Sequence, residues 1–325
     1  MSSSKNNIFH FFFLIINIIC VYGAVDEQLS TVEKRPWNYI TTGGVFEWCQ
    51  QFKTCCGDHQ SPINFDTKSV EAESFDPITF KGYDTKLKSI VMKNNGHDIY
   101  IDVGYPGALP VMSDGGLNAK YTLDSFHFHW GSDNEQGAEH TVNGVYYPLE
   151  MHIVHINSKY GSIDKALKNT DGLAVLGILY GVAKEDNPVL EKIVKEFSSV
   201  MYNGDSKTIS KPNFSIQDLF PDSTEYFFRY SGSLTTPPCN EVVTWTVFEV
   251  PQTISLKQLK AFRDLKGSKK DDNVTLSLGN NYRPIQKLKD RKILKRRSSD
   301  DSNSVSAQFP LLFTAAASAF GLRFM

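Results

Sequence analysis

Two short stretches predict both the fold and the chemistry of this chain. They are Phe126-His127-Phe128-His129-Trp130 and Glu150-Met151-His152-Ile153-Val154-His155. We predict that both are β-strands, in which successive side chains point to opposite faces. In the first strand both histidines then lie on one face and both phenylalanines on the other. A His-x-His pair alone is weak evidence for a metal site, because histidines on a sheet face are often solvated or hydrogen-bonded in the core.

The second strand supplies a third candidate ligand. Glu150, His152 and Val154 share a face, so His152 has a carboxylate two residues away on its own side, whereas His155 points oppositely and is predicted to be a core residue. Three neutral imidazoles that leave one position open for water make a catalytic zinc site. The cysteines are poor candidates for a fourth ligand, because they are expected to be oxidised.

The rest of the chain predicts an α+β, mostly β, single domain. Further runs rich in β-branched and aromatic residues predict strands at 98–103, 173–180, 226–230 and 241–250. Few helices are expected: Asn187-Pro188 begins one that carries Leu190, Ile193, Val194 and Phe197, and Ser255 caps another. No linker, repeat or low-complexity run interrupts residues 36–291, which we predict to be the core of the domain.

Composition narrows the possible partners. The chain has 325 residues, of which 41% are hydrophobic and 12% aromatic, enough to bury a large core. Its net charge is -2, with acidic and basic residues interspersed, so no broad basic surface is expected. Nucleic acid is therefore not an expected partner.

Both ends of the chain have the pattern of processing segments. Residues 1–23 resemble a signal peptide, because Lys5 precedes an apolar run at 8–21 and small residues follow. About fourteen apolar residues are too few for the roughly 20 of a membrane-spanning anchor, which is the alternative. Residues 298–325 combine a polar segment with a hydrophobic tail, as in a GPI-attachment signal; a short transmembrane tail or a disordered end are the alternatives. The domain then spans 24–297.

Cysteines and sequons agree with a secreted, cell-surface protein. After removal of the signal peptide the chain keeps four cysteines, Cys49, Cys55, Cys56 and Cys239. Four cysteines allow three pairings, and the spacing does not choose among them. The sequons at Asn213 and Asn273 are predicted to be glycosylated if they are exposed.

The stretch from Trp37 to about Arg291 resembles the α-class carbonic anhydrases of the extracellular, membrane-tethered type. The motifs that carry the resemblance are Gln60-Ser61-Pro62-Ile63, Asn94-Asn95-Gly96-His97, Phe126 to Ser132, Glu139-His140-Thr141, Glu150 to His155, Gly172 to Gly177, Gly232 to Pro238 and Tyr282-Arg283-Pro284. The resemblance implies one domain around a large, twisted, mainly antiparallel sheet, with zinc at the base of a conical cleft. It also implies reversible hydration of CO2 to bicarbonate and a proton.

The resemblance assigns roles to matching residues. His127, His129 and His152 would hold Zn²⁺, with a water that becomes hydroxide and attacks CO2. Thr235 would accept a hydrogen bond from this hydroxide and donate its own proton to Glu139. Glu150 would hold the second nitrogen of His152, and the carbonyl of Asn281 would hold that of His129.

The same resemblance implies a substrate pocket, a proton pathway and the disulfides. The pocket would be lined by Val154, Val175, Leu234, Thr236, Val243 and Trp245. His97 would shuttle protons, beside a network of Tyr39, Asn95 and Tyr100. Cys55 would pair with Cys239, which leaves Cys49 for Cys56.

Three residues depart from the family pattern. Ser125 stands where the family has a longer amide that bonds the first zinc histidine, and a shorter hydroxyl is not expected to reach unless a water bridges the gap. Tyr100 replaces a small amide in the cleft wall, and Asp98 follows His97 where a small residue is common. Two alternative functions are a catalytically inactive binding module and a hydrolase of activated esters. The oligomeric state is not predicted.

Overall fold

The structure is a computed structural model that describes residues 37–39 and 44–296. The predicted signal peptide at 1–23 and the predicted attachment signal at 298–325 lie outside the described residues. In the described part of the chain, no helix has the length and apolar character needed to cross a membrane.

Strands dominate the described residues, as predicted. The strands are β1 (Asn64–Phe65), β2 (Glu71–Glu73), β3 (Ile78–Lys81), β4 (Ser89–Asn94), β5 (Ile99–Gly104), β6 (Val111–Asp114), β7 (Tyr121–Trp130), β8 (Thr141–Val142), β9 (Leu149–Asn157), β10 (Leu173–Ala183), β11 (Ser206–Ser210), β12 (Phe227–Gly232), β13 (Val243–Phe248), β14 (Gln252–Ser255) and β15 (Leu294–Arg296). All but β1 and β8 belong to one large sheet with the order β11-β4-β5-β7-β9-β10-β13-β12-β15-β2, to which β14, β6 and β3 are added.

Most strand pairs in this sheet are antiparallel, which confirms the predicted fold class. The parallel pairs are β10 with β13, β10 with β14, and β15 with β2. The two central strands β7 and β9 run antiparallel, with one register irregularity between Leu123 and Ser125. The two histidine-containing stretches, 126–130 and 150–155, are therefore neighbours at the middle of the sheet.

The helices are short and lie outside the sheet path. They are α1 (Trp48–Gln51), α2 (Ile163–Ala166), α3 (Glu191–Val194) and α4 (Leu256–Asp264), with 3-10 turns at Lys53–Cys56, Phe197–Val200 and Gln217–Leu219. Ser255 caps α4 as predicted, in a capping box with Gln258. The helix predicted from Asn187 is shorter than expected: α3 ends at Val194, and Phe197 begins a separate 3-10 turn.

Alternation along the central strands separates two large core clusters, and a third, small cluster surrounds Trp48. Phe126 and Phe128 are fully buried in the larger cluster. Val175 and Trp245 belong to the second cluster, on the histidine side of the sheet. The histidines of β7 and β9 therefore lie between the sheet and the apolar side chains of the second cluster.

Two disulfides fasten the N-terminal region. Cys49 is bonded to Cys56, and Cys55 is bonded to Cys239 across a sequence separation of 184 residues. The long cross-link ties the 3-10 turn at Lys53–Cys56 to the loop between β12 and β13, which also contains Thr235.

Candidate metal site

Three histidines converge at the centre of the sheet because β7 and β9 are adjacent and in register. His127 lies directly opposite His152, and His129 lies opposite Glu150. One ring nitrogen from each of His127, His129 and His152 lies within 4.8 Å of the others. His129 and His152 are buried, whereas His127 is half-buried. The parity argument from the sequence therefore selected three side chains that do meet.

Hydrogen bonds at the outer nitrogens fix which nitrogen is free in two of the three rings, those of His129 and His152. His129 Nδ1 lies 2.7 Å from the carbonyl oxygen of Asn281. Because a carbonyl only accepts, His129 carries its proton on Nδ1, and its Nε2 is buried without a hydrogen-bond partner. His152 Nε2 lies 2.8 Å from Glu150 Oε1, so Nδ1 of that ring holds the lone pair.

Burial keeps these rings neutral. It lowers the pKa of His127 well below its ordinary value, with a further contribution from His129 and His152. Burial lowers the pKa of His129 to about 4 and also lowers that of His152. Metal binding requires unprotonated imidazole. Three neutral imidazoles with converging lone pairs fit a borderline-soft divalent ion such as zinc.

Glu150 forms hydrogen bonds with His152 and with the groups behind it. Its Oε2 accepts the backbone N–H groups of Glu139 and His140, each at 2.8 Å. Its Oε1 also lies 2.7 Å from His140 Nδ1. Burial alone would raise the pKa of Glu150, but the neighbouring His140 and His152 outweigh burial and hold it well below the ordinary value. Glu150 is therefore a fixed carboxylate that orients His152.

His140 is the site residue for which sequence reasoning gave no role. Its Nε2 lies 2.7 Å from the hydroxyl of Tyr230, which in turn donates to Ser61 at 2.8 Å. The sequence offered only its place next to Glu139, because these partners come from distant strands. His140 extends the support of Glu150 into the apolar side of the sheet.

Glu139 and Thr235 lie next to the histidine cluster. Glu139 Oε1 accepts the backbone N–H of Arg283 at 2.8 Å, and Glu139 Oε2 lies 3.9 Å from His152 Nδ1. Burial raises the pKa of Glu139 to about 7, while the interaction with the Thr235 hydroxyl lowers it. Both side chains are buried.

Ser125 does not form a hydrogen bond with His127. Its hydroxyl donates to Asp124 Oδ2 at 2.9 Å, and His127 Nδ1 is buried with no partner in the described part of the chain. Tyr100 also donates to Asp124 Oδ2, at 3.2 Å, and its ring centroid lies 6.5 Å from that of His127. Two of the three residues that depart from the family pattern, Ser125 and Tyr100, therefore both donate to Asp124 beside His127.

The apolar residues expected to line a pocket lie on the histidine side of the sheet. The Trp245 ring centroid lies 4.8 Å from that of His152. Val175 pairs with Val154 on one side and with Trp245 on the other. Val243 is buried, and Leu234 is a partly buried member of the same cluster. Thr236, which follows Thr235, is half-buried.

His97 lies at the turn between β4 and β5 and is half-buried. Its ring stacks on Trp37, with centroids 3.8 Å apart and planes at 12°. Its backbone N–H donates to Asn95 Oδ1 at 2.8 Å. Burial raises the pKa of Asp98 to about 7, and Asn95 donates to this carboxyl group at 2.7 Å. The Tyr39 hydroxyl is buried without a hydrogen-bond partner in the described residues.

Both sequon asparagines, Asn213 and Asn273, are exposed, which is the condition stated for their modification.

Comparisons with known proteins agree with this geometry. A family model described as eukaryotic-type carbonic anhydrase matches residues 43–297. The human protein carbonic anhydrase 12 is 36% identical over 273 residues, which covers 82% of this chain and 75% of the human protein.

Proposed function

The chain belongs to the eukaryotic-type carbonic anhydrases and is an enzyme of that family, and from this premise we propose that its cofactor is zinc, held by His127, His129 and His152. The observation that carries the proposal is the convergence of one ring nitrogen from each of three imidazoles that burial keeps neutral. Zinc, when bound, supplies Lewis acidity that lowers the pKa of a bound water to about 7, the value known for carbonic anhydrase itself.

Thr235 and Glu139 would orient the attacking oxygen. A Thr235 hydroxyl that donated to Glu139, the interaction that lowers the pKa of this carboxyl group, would have only its lone pairs left and would accept a hydrogen bond from the attacking oxygen, which would position that oxygen toward CO2. CO2 has no charge and no hydrogen-bond donor, so an apolar wall suits it. Val175, Val243 and Trp245 supply such a wall beside His152.

A stopped-flow CO2-hydration assay tests the proposal. Residues 24–297 are expressed, the zinc content is measured, and the assay is repeated after chelation and again after zinc is restored. We expect activity to follow bound zinc. Zinc-loaded, folded protein that does not hydrate CO2 would show that the chain is an inactive relative with a binding role.

His97 is proposed as the proton shuttle. An acid of pKa about 7 that releases its proton to bulk water is limited to about 10³ s⁻¹, below the roughly 10⁶ s⁻¹ known for carbonic anhydrase. Histidine, with an ordinary pKa of about 6.5, can accept and release a proton with little driving force either way. Its half-exposed position on Trp37 gives the ring access to solvent.

The His97→Ala variant is expected to lower kcat for hydration in dilute buffer and to leave kcat/KM nearly unchanged, because attack on CO2 precedes the proton transfer. Added imidazole should restore kcat. Equal kcat for the variant and the parent in weak buffer would exclude the shuttle role.

Secretion and lipid tethering are also proposed. The two disulfides are typical of an oxidising compartment, and the exposed sequons suit glycosylation there. We expect a GPI-cleaving phospholipase to release activity from expressing cells into the medium. Activity that stays with the membrane, on a chain that retains residues 309–325, would indicate a conventional anchor instead.

A further inference from the structure

A cavity of about 550 Å³ lies apart from the three candidate zinc ligands, and of the residues described at that site only Tyr230, the partner of His140, lines it. It is formed by the end of β12, the segment that leads into β15, and the loop after β6. Basic and aromatic side chains are combined in its lining, which includes His59, Phe75, Arg229, Tyr230, Arg291 and Lys292.

Arg229 is an unusual residue in this lining because its charge is buried without a partner. Only 4% of the residue is exposed. Its Nε donates to Thr246 Oγ1 at 3.1 Å, but both terminal nitrogens are buried and meet no hydrogen-bond acceptor in the described part of the chain. Burial lowers the pKa of Arg229 to about 10, so the group is still cationic at neutral pH. A buried cation without an acceptor is costly, which points to a missing partner.

Aromatic rings account for only part of the environment of this guanidinium. Its Cζ lies 5.1 Å from the Phe227 ring centroid and 5.7 Å from that of Phe75. Such cation–π contacts stabilise the charge through the ring faces. The ring faces offer no hydrogen-bond acceptor to the N–H groups in the guanidinium plane. A carboxylate or phosphate would accept two of these N–H groups at once.

The charge of the cavity lining is positive overall. Asp290 is the one acidic residue in the lining, and its carboxylate lies 3.5 Å from the His59 ring. Arg291 donates to the neutral carbonyl oxygen of Ser231 at 3.1 Å. Lys292 forms an ion pair with Glu71 at 3.0 Å, at the exposed edge. Because three cationic side chains face one carboxylate, the cavity favours an anion.

We propose that this cavity binds a small organic anion, with a carboxylate or phosphate group held by Arg229 and an apolar body against Phe75. The volume lies in the range of small-molecule sites and exceeds what an inorganic ion needs. Arginine suits either head group, because its planar donors match two oxygens at once. The anion would bind there without contact to His127, His129 or His152.

Isothermal titration with phenyl phosphate, benzoate, inorganic phosphate and benzyl alcohol tests the proposal. The full chain is titrated in its zinc-loaded and chelated forms, because binding to the cavity is equal in both whereas binding to the metal appears only in the first. We expect phenyl phosphate or benzoate to bind both forms and neutral benzyl alcohol to bind neither. The tighter of the two anions identifies the head group. Absence of saturable anion binding to the chelated chain would overturn the proposal.

Two variants assign the binding to the cavity. Arg229→Met should weaken anion binding at least tenfold, since one charged hydrogen-bonding partner is lost. It should unfold at the same temperature as the parent or higher, because it removes a buried unpaired cation. Parent-like binding by this variant would contradict the site.

Ser231→Trp provides the second variant, and it leaves Arg229 in place. Ser231 is exposed and lines the cavity, so a bulky side chain there should block the anion without disturbing the core. Arg263→Met is the matched control, because Arg263 donates to the carbonyl of Gly131 and does not line the cavity. If Ser231→Trp binds the anion as well as the parent does, the anion occupies another place and the proposal fails.

Discussion

At the scale of single residues, His129 and His152 are each held by one hydrogen bond at the ring nitrogen that points away from the metal site. The sequence placed His127 and His129 on one face, and the structure brings them together with His152. The proton positions on His129 and His152 depend on Asn281 and Glu150, whose positions follow from tertiary contacts. Sequence could name these partners only through the family resemblance, because pattern arguments carry no information on contacts between distant residues.

Ser125→Gln is expected to raise zinc affinity about 10- to 100-fold, the usual size of the effect of a hydrogen bond that orients a metal-ligating histidine. The longer amide can accept a hydrogen bond from His127 Nδ1, which now has no partner. Competition with a zinc chelator measures the change. Ser125→Ala is the control and should leave the affinity unchanged, because the native hydroxyl bonds to Asp124. Equal affinities for Ser125→Gln and the parent would contradict the argument.

His155 predicts an acid-sensitive contribution to stability. It is fully buried, its Nδ1 lies 3.2 Å from the Ala174 carbonyl, and its Nε2 accepts the Tyr83 hydroxyl at 2.7 Å. Burial lowers its pKa to about 3. Below the ordinary pKa of about 6.5 the unfolded chain therefore binds a proton that the folded chain does not, so stability is lost as the pH falls.

The size of this loss should be about 2 kcal/mol at pH 5, since each pH unit below 6.5 costs about 1.4 kcal/mol per group. Urea unfolding of the metal-free chain between pH 7 and pH 5 measures it. His155→Gln can keep both hydrogen bonds but does not titrate, so its stability should fall by about 2 kcal/mol less over this range. Identical pH slopes for the variant and the parent would show that His155 is not responsible.

At the scale of elements, the long central strands were predictable and the short elements were not. β7, β9 and β10 contain the predicted segments, because their apolar and β-branched content is local information. The helix expected from Asn187 is divided between α3 and a 3-10 turn, although its apolar residues are buried as predicted. Periodicity identifies the buried face, while tertiary packing decides how far the regular hydrogen bonds continue.

Gly177→Val is expected to weaken zinc binding through the strand β10. Gly177 pairs with His152 across the sheet, and a Cβ atom there would lie 3.1 Å from Glu150 Oε1 and 3.0 Å from a Val247 methyl group. A larger side chain would displace the carboxylate that holds His152. We expect at least a tenfold loss of zinc affinity and a stability loss of about 1–3 kcal/mol from overpacking.

Chelator competition and thermal unfolding measure the two effects of Gly177→Val. Gly181→Val is the matched control in the same strand, because a Cβ there meets only the Gln252 carbonyl oxygen at 4.0 Å. If both variants bind zinc as tightly as the parent, β10 does not constrain the position of Glu150.

At the scale of the whole molecule, the two disulfides should differ in what they contribute. The bond between Cys55 and Cys239 closes a sequence separation of 184 residues, whereas that between Cys49 and Cys56 closes 7. In the chain-entropy model the long closure stabilises by about 5 kcal/mol and the short one by about 2 kcal/mol. The long cross-link also fixes the loop that carries Thr235, so its loss should reduce kcat/KM as well as stability.

Urea unfolding of the double variants Cys55→Ala/Cys239→Ala and Cys49→Ala/Cys56→Ala compares the two cross-links directly. Each variant removes one bond and leaves no free thiol, and each serves as the control for the other. We expect the first variant to lose about 3 kcal/mol more than the second, because the unfolded chain gains far more freedom when the longer loop opens. The second variant should retain CO2 hydration, since it leaves in place the bond from Cys55 to Cys239 in the loop that carries Thr235. Equal losses of stability would mean that strain or residual structure in the unfolded state, and not loop length, sets the contribution of these bonds.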